Sequence, residues 1–399
     1  MASKDSQPSS PNHSSKGPSL AEALQNPQSA VLIILSALGL IMFGVLLGEA
    51  VEGLKSATQP GDRIFIIWPT ILGIGLWGWM LIERSFVHAD PTLEIIVRRA
   101  GVLGLGIVLC RDMDPGIILA AMAGYAICGV RTRFLLTLAA LTALVLFPTL
   151  QSWLQTGWLN KIGVRDFAGD SLHILAGMIG VVVLTGTRWA NGQAIPREKM
   201  RKDRAFSAIL GLILIQLAFA AVLGRQAYRE SYLLAQTVVT NGVAATLAGG
   251  IVAWLFHLRL PIRPRIHMIL FGNIAGWVVI SGGANHYSVS QSLVFGGLAA
   301  ATMVMILFIL DTLELRDPFA LVPIHLACGT LGLLLVPAGA GSDAHLVMQL
   351  VAVFSIAVPA FAIGCLVVLP FVKTKLLSKY DPTLLSKKRQ AKAAEATSS

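Results

Sequence analysis

Apolar residues in this chain run in long continuous stretches broken by short polar segments, and they do not alternate with polar ones. The stretches lie near 31–52, 64–86, 97–111, 116–130, 134–153, 170–187, 205–223, 233–256, 267–284, 290–310, 321–337 and 345–371. A helix of about 20 residues rises about 30 Å, the thickness of a bilayer's hydrocarbon core. The pattern therefore predicts transmembrane helices, and the absence of alternation argues against a β-barrel. Arg111, Asp112, Asp114 and Pro115 interrupt the stretch 97–130. Either two short helices meet there at a polar hairpin or one long helix is broken, so the count is eleven or twelve.

Composition sharpens this picture. Of 399 residues, 55% are hydrophobic and 13% charged, with a mean hydropathy of +0.72. Soluble domains carry about 25% charged residues. A soluble globular enzyme and a disordered scaffold are excluded. Residues 1–28, rich in Ser, Pro and Asn, read as a disordered head, with no basic segment leading an apolar core as in a signal peptide. Residues 29–373 form the transmembrane domain, and 374–399 a basic tail. The four cysteines, Cys110, Cys128, Cys328 and Cys365, lie in or beside apolar runs without C-x-x-C or Cys/His metal spacing. They read as small core residues.

The net charge of +10 is a topological signal, not a nucleic-acid one. Segment 188–204 carries Arg188, Arg197, Lys199, Arg201, Lys202 and Arg204; 257–266 carries Arg259, Arg263 and Arg265; Arg131 and Arg133 mark a third basic loop. These loops and the tail are separated by even numbers of spans, and the intervening loops are poorer in Lys and Arg. The basic segments, and with them the C-terminus, are expected in the cytoplasm of a multi-pass cell-membrane protein.

Two histidines stand apart from the other six. His173 lies early in DFAGDSLHILAGMIGVVVL and His325 early in DPFALVPIHLACGTLGLLLV. Each follows an aspartate, Asp166 or Asp317, and each begins His-x-x-x-Gly-x-x-Gly, with Gly177 and Gly180 in the first and Gly329 and Gly332 in the second. The charge pattern makes the two spans opposite in direction. A motif repeated on opposed spans is what an inverted-topology, pseudo-twofold repeat leaves in a sequence. His, Gly and Gly at i, i+4 and i+7 share a helix face, and small residues there let two helices approach closely. Two neutral imidazoles can bond to each other, one donating and one accepting, and so line a pore for a small polar solute or relay a proton. Two His ligands without a carboxylate or thiolate make a poor metal site, and no metal or cofactor is expected.

The stretch from Gly116 to Arg188 resembles the ammonium transporters, the Amt/Mep/Rh family. It reads GYAICGVRTRF, then FPTLQSWLQTGWLNKIGVRDFAGDSLHILAG. The similarity continues through TVVTNGVAATLAGGIVAWLF, GNIAGWVVISGGANHYSVSQSLVFGGLAAATMVM and DPFALVPIHLACGTLG, and covers about residues 116–373. The resemblance implies an all-α trimer with one pore per subunit. Ammonium would be recruited and deprotonated at an outer vestibule, and ammonia would cross a pore lined by twin histidines. It assigns those histidines to His173 and His325, the outer-site aspartate to Asp166, the vestibule tryptophan to Trp158 and one pore phenylalanine to Phe219. It also implies a PII-type cytoplasmic regulator as a partner of the tail. The chain departs from the family pattern in several places. It has no Phe in residues 100–133, Ala220 and Leu223 stand where an Asn and a Ser are usual, Gln151-Ser152 replaces His-Trp, and Asp170 replaces a glycine. No nucleotide motif, G-x-S-x-G or H-E-x-x-H occurs, and the chain is not expected to be an enzyme. A non-transporting sensor on the same scaffold and a neutral small-solute channel stay open as alternatives.

Overall fold

The computed structural model describes residues 81–82, 145–191, 205–228, 230–315, 317 and 319–373. The head 1–28, the tail 374–399, most of the first four apolar runs and the hairpin at Arg111–Pro115 lie outside the described residues. The elements are α1 (Phe147–Gln155), α2 (Trp158–Lys161), α3 (Asp170–Asn191), α4 (Ala205–Tyr228), α5 (Tyr232–His257), α6 (Arg265–Ile280) and α7 (Val289–Thr312). A π-helical turn, Val322–Ala327, then runs into α8 (Cys328–Ala340), and a 3-10 turn leads to α9 (Leu346–Lys373). No strand occurs among the described residues. The seven apolar runs from 170–187 onward correspond in order to α3 through α9. Five of these helices are long and apolar enough to cross a membrane, α8 together with its π turn, while α6 and the apolar part of α3, Asp170–Gly186, are shorter. This is an all-α, multi-pass membrane architecture.

Start signals explain several ends. Ser231 caps α5 by accepting from the Leu234 N–H, and Ser288 with Gln291 forms a capping box before α7. The ninth apolar run extends to residue 284, yet α6 stops at Ile280. There Ser281 turns back, its N–H donating to Val278 O and its hydroxyl to Trp277 O.

The outward surface is apolar. Phe206, Ile209, Ile213 and Leu217 form an exposed stripe on α4 at helical spacing, and Leu350, Phe354, Val358 and Phe361 form another on α9. In hydrocarbon such faces are solvated and only backbone polarity must be satisfied internally, which helices do. Inside, α5, α6 and α7 touch backbone to backbone. A Cβ on Gly249 would overlap the Gly272 carbonyl oxygen, and one on Gly296 would overlap that of Ala245. Small residues replace the hydrophobic effect here as the means of close packing.

Two apolar cores result. One joins α3, the end of α8 and α9 through Ile174, Val182, Leu333 and Ile356. The other joins α4 to α7 through Phe219, Phe271, Trp277 and Met303. The two histidine segments meet where these cores abut.

Candidate functional site

His173 lies one turn inside α3, and Asp166 determines where that helix starts. One Asp166 carboxylate oxygen accepts from the Gly169 and Asp170 N–H groups at 3.0 and 2.9 Å, and the other accepts from Ser171 at 2.9 Å. Three of the unpaired donors at the helix start are thereby satisfied. The DFAG loop is docked in turn onto the end of α6. Phe167 N–H donates to Gly282 O at 2.8 Å and Ala168 N–H to Ser281 O at 2.9 Å. Asp317 does the equivalent work for the second histidine segment, its carboxylate accepting from Phe319 N–H at 3.2 Å and Val322 N–H at 2.7 Å. Burial pushes the Asp317 carboxyl up to about 6, despite those N–H bonds and the nearby Arg263 charge.

His325 sits in the π turn, not in regular α-helix. Pro323 opens that turn and supplies no N–H, and the Cys328 N–H at its end is shared between the His325 and Pro323 carbonyls. Such widened turns recur at functional sites. The turn aims the His325 ring at His173: Nδ1 to Nδ1 is 3.0 Å, with ring centroids 5.1 Å apart and planes 25° from parallel. A contact of this kind needs one protonated and one bare Nδ1, so the neutral rings occupy opposite tautomers.

The glycines allow the approach. A Cβ on Gly177 would overlap Leu326 N, one on Gly329 would stand 2.9 Å from His173 Cβ, and one on Gly332 would overlap an Asp170 carboxylate oxygen. As residue numbers rise along α3 from 170 to 177, their partners fall from 332 to 326. The two histidine helices therefore run antiparallel, the relation expected from the basic loops.

Phe219, on α4, completes the neighbourhood. Its ring centroid is 6.5 Å from that of His173 and 6.0 Å from that of Trp277, on which it stacks at 12°. Trp277 Nε1–H donates to Gln216 Oε1, and Gly242 leaves room for the indole, since a Cβ there would overlap it.

The profile of the Ammonium Transporter Family matches residues 115–387. The chain belongs to the ammonium transporter family. Ammonium transporter Amt2 of Haloferax mediterranei is 30% identical over 284 residues, covering 65% of this chain and 59% of that one. Two Synechocystis relatives are 27% and 22% identical over 214 and 270 residues, covering 50% and 62% of this chain and 47% and 48% of themselves. The chain thus spans about half the length of the curated relatives it matches. Among solved structures, Saccharomyces cerevisiae Mep2 superposes with a TM-score of 0.56 at 18% identity, covering 87% of this chain and 85% of Mep2. A structure of a Sensor Amt Protein gives 0.55 at 18%, covering 86% and 94%. These likenesses show the fold. Members of the family are transporters, not enzymes.

Of the ammonium-transporter residues expected from the sequence, the fold brings His173, His325 and Phe219 together. Asp166 stands at the start of the same helix, its carboxylate occupied by backbone N–H groups. Trp158 opens α2 and is 40% exposed, its ring edge-on to Trp153 with centroids 6.0 Å apart. Among the described residues its ring meets Trp153 and not the histidines. Sequence reasoning missed Trp277 and Gln216. A tryptophan within the small-residue run GNIAGWVV was the available signal, but its partner is 61 positions away. Among the described residues no group of three or more His, Cys, Asp or Glu is placed to hold a metal ion.

Proposed function

We propose that this chain carries ammonium-derived nitrogen across the cell membrane, with ammonium losing a proton on the side where α3 begins and ammonia passing His173 and His325. The 3.0 Å Nδ1–Nδ1 contact between opposed helices carries this reading. Ionised imidazole is costly in hydrocarbon, so both rings are neutral. With opposite tautomers, one Nε2 is an N–H donor and the other a bare acceptor. Ammonia, itself both donor and acceptor, is matched by such a pair, and an exchange of tautomers passes a proton along it. Phe219 forms the apolar wall before the pair. Asp166 shapes the mouth by fixing the DFAG loop. Trp158 offers an exposed π face that attracts a cation before it is desolvated. The orientation with basic loops and C-terminus in the cytoplasm, a homotrimer with one pore per subunit, and docking of a PII-type regulator on the tail belong to the same reading. So does the division into head 1–28, membrane domain 29–373 and tail 374–399.

The test is an ammonium pulse applied to proteoliposomes, with current and uptake recorded for the wild type, His173→Ala and His325→Ala. The expected outcome is wild-type uptake with current and a loss of at least about tenfold in either variant. Equal uptake in all three removes the histidines from the mechanism. Uptake without current identifies a neutral channel.

One observation favours a second reading, a sensor on the same scaffold. Phe219 is wedged against Trp277, which Gln216 holds, and Ala220 and Leu223 supply no polar group beside it. A sensor binds ammonium and gives neither current nor uptake.

A further inference from the structure

Asp170 is the first residue of α3 and has no exposed surface. One carboxylate oxygen, Oδ2, accepts from the Gly282 N–H at 2.9 Å, and the other, Oδ1, is buried without a partner. No basic side chain pairs with it among the described residues. The space it occupies is made by two glycines, because a Cβ on either Gly282 or Gly332 would overlap its Oδ2. Asp170 and His173 lie at i and i+3, so the carboxylate stands on the same face of α3 as the imidazole, about 4.5 Å nearer the helix start. It lies in the seam between α3 and α8 that holds the histidine pair.

A second buried oxygen faces the same turn. Tyr287 is 3% exposed and its hydroxyl has no partner. A Cβ on Gly283 would overlap that hydroxyl, so Tyr287 and Asp170 pack against adjacent residues of one turn. Asn241 fixes the tyrosine in place, its side-chain amide donating to Tyr287 O at 2.7 Å and Ala284 O at 3.0 Å. Burial first, then the charges of Asp170 and Asp166, push the Tyr287 hydroxyl's pKa up, as expected if it shares a site with both carboxylates.

A buried carboxylate without a counter-charge costs several kcal/mol. The N-terminus of α3 and the Gly282 N–H offset part of that cost and leave Oδ1 bare. The geometry points to a cation site: Asp170 Oδ1 and the Tyr287 hydroxyl hold an ammonium ion one helical turn from the histidine pair. The choice of ammonium over another monovalent cation rests on the proposed transport function. The site itself rests on the buried, unpartnered Oδ1 of Asp170 and the unpartnered Tyr287 hydroxyl that faces the same turn. Two oxygen acceptors suit a cation that donates N–H bonds in several directions.

The test is thermal unfolding of the purified full-length protein in ammonium, sodium, potassium or N-methylglucamine chloride at one ionic strength and pH. Ammonium is expected to raise the wild-type Tm by about 3 °C or more over the other salts. Asp170→Asn should abolish that rise. Tyr287→Phe, which deletes an unpartnered hydroxyl and should fold normally, should at least halve it. The inference is overturned if wild-type Tm does not depend on ammonium, if sodium or potassium gives an equal rise, or if both variants keep the full rise. Uptake measured on the same preparations separates the two claims. Uptake without an Asp170-dependent rise removes this site and leaves transport standing. The rise without uptake keeps the site and removes transport.

Discussion

Gly177 on α3 lies so close to Leu326, the residue that follows His325, that a Cβ on the glycine would overlap the Leu326 backbone nitrogen. No side chain fits between them, so the contact that brings the imidazoles together depends on a missing methyl group one turn beyond His173. Gly177→Ala should push the helices apart and cost about 1–3 kcal/mol, as overpacking does. Gly297→Ala is the control. Its Cβ would stand 3.4 Å from Val252 Cγ2, an ordinary contact, so it should be neutral or slightly stabilising through helix propensity. Unfolding midpoints in detergent compare the two. Equal midpoints would mean the seam is not tight.

The histidines are coupled by a hydrogen bond that neither can make alone. Replacing one leaves the other ring's Nδ1 unpaired in an apolar site, at about 1–3 kcal/mol. Replacing both removes the orphan. His173→Leu and His325→Leu should therefore each destabilise more than half as much as the double variant, with a coupling energy of about 1 kcal/mol in a double-mutant cycle. Additive effects would show that the rings do not share a proton.

Asp166 holds three backbone N–H groups and through them the loop that docks on Gly282 and Ser281. Asp166→Ala removes both side-chain acceptors at this start and should cost about 2 kcal/mol, the upper end for a helix cap. Asp166→Asn keeps one acceptor oxygen and should recover about half. If alanine melts like the wild type, the cap contributes little. If asparagine melts like the wild type but loses uptake, the carboxylate's charge acts on the cation and not on the fold.

Much of this was legible in the sequence because membrane helices announce themselves by length and apolarity. The runs at 233–256 and 290–310 differ from α5 and α7 by one or two residues at each end. The histidine pair was legible because an Asp followed seven or eight residues later by His-x-x-x-Gly-x-x-Gly occurs twice. The π turn was not, since VPIHLA reads equally well as α-helix. Trp277, Gln216 and Phe219 were not legible as a unit, because their contact joins α4 to α6 and leaves no local pattern. Asp170 showed only as an unexpected charge near a span end. Its full burial depends on Gly282 and Gly332, glycines 112 and 162 positions away whose missing Cβ atoms are invisible in a linear reading.

Asp317 gives a pH signature on the opposite end of the bundle. Its carboxyl is ordinarily near 3.8 and burial raises it to about 6 in the folded chain. The folded state therefore binds this proton more tightly than the unfolded state. By linkage, the stabilisation is fully present below about pH 4 and is lost as pH rises through 6, up to about 3 kcal/mol. Arg263 limits the loss. It pairs with Asp311 through two bonds of 2.6 and 2.9 Å and reaches the Asp317 carbonyl at 3.4 Å, so positive charge stays close to the ionised carboxylate. Unfolding midpoints of the wild type should fall between pH 5 and pH 7. Asp317→Asn, which keeps an acceptor for the Val322 N–H and carries no proton to lose, should flatten that interval. Arg263→Gln should steepen it. A slope unchanged in Asp317→Asn would assign the pH dependence to another group and leave Asp317 as a cap alone.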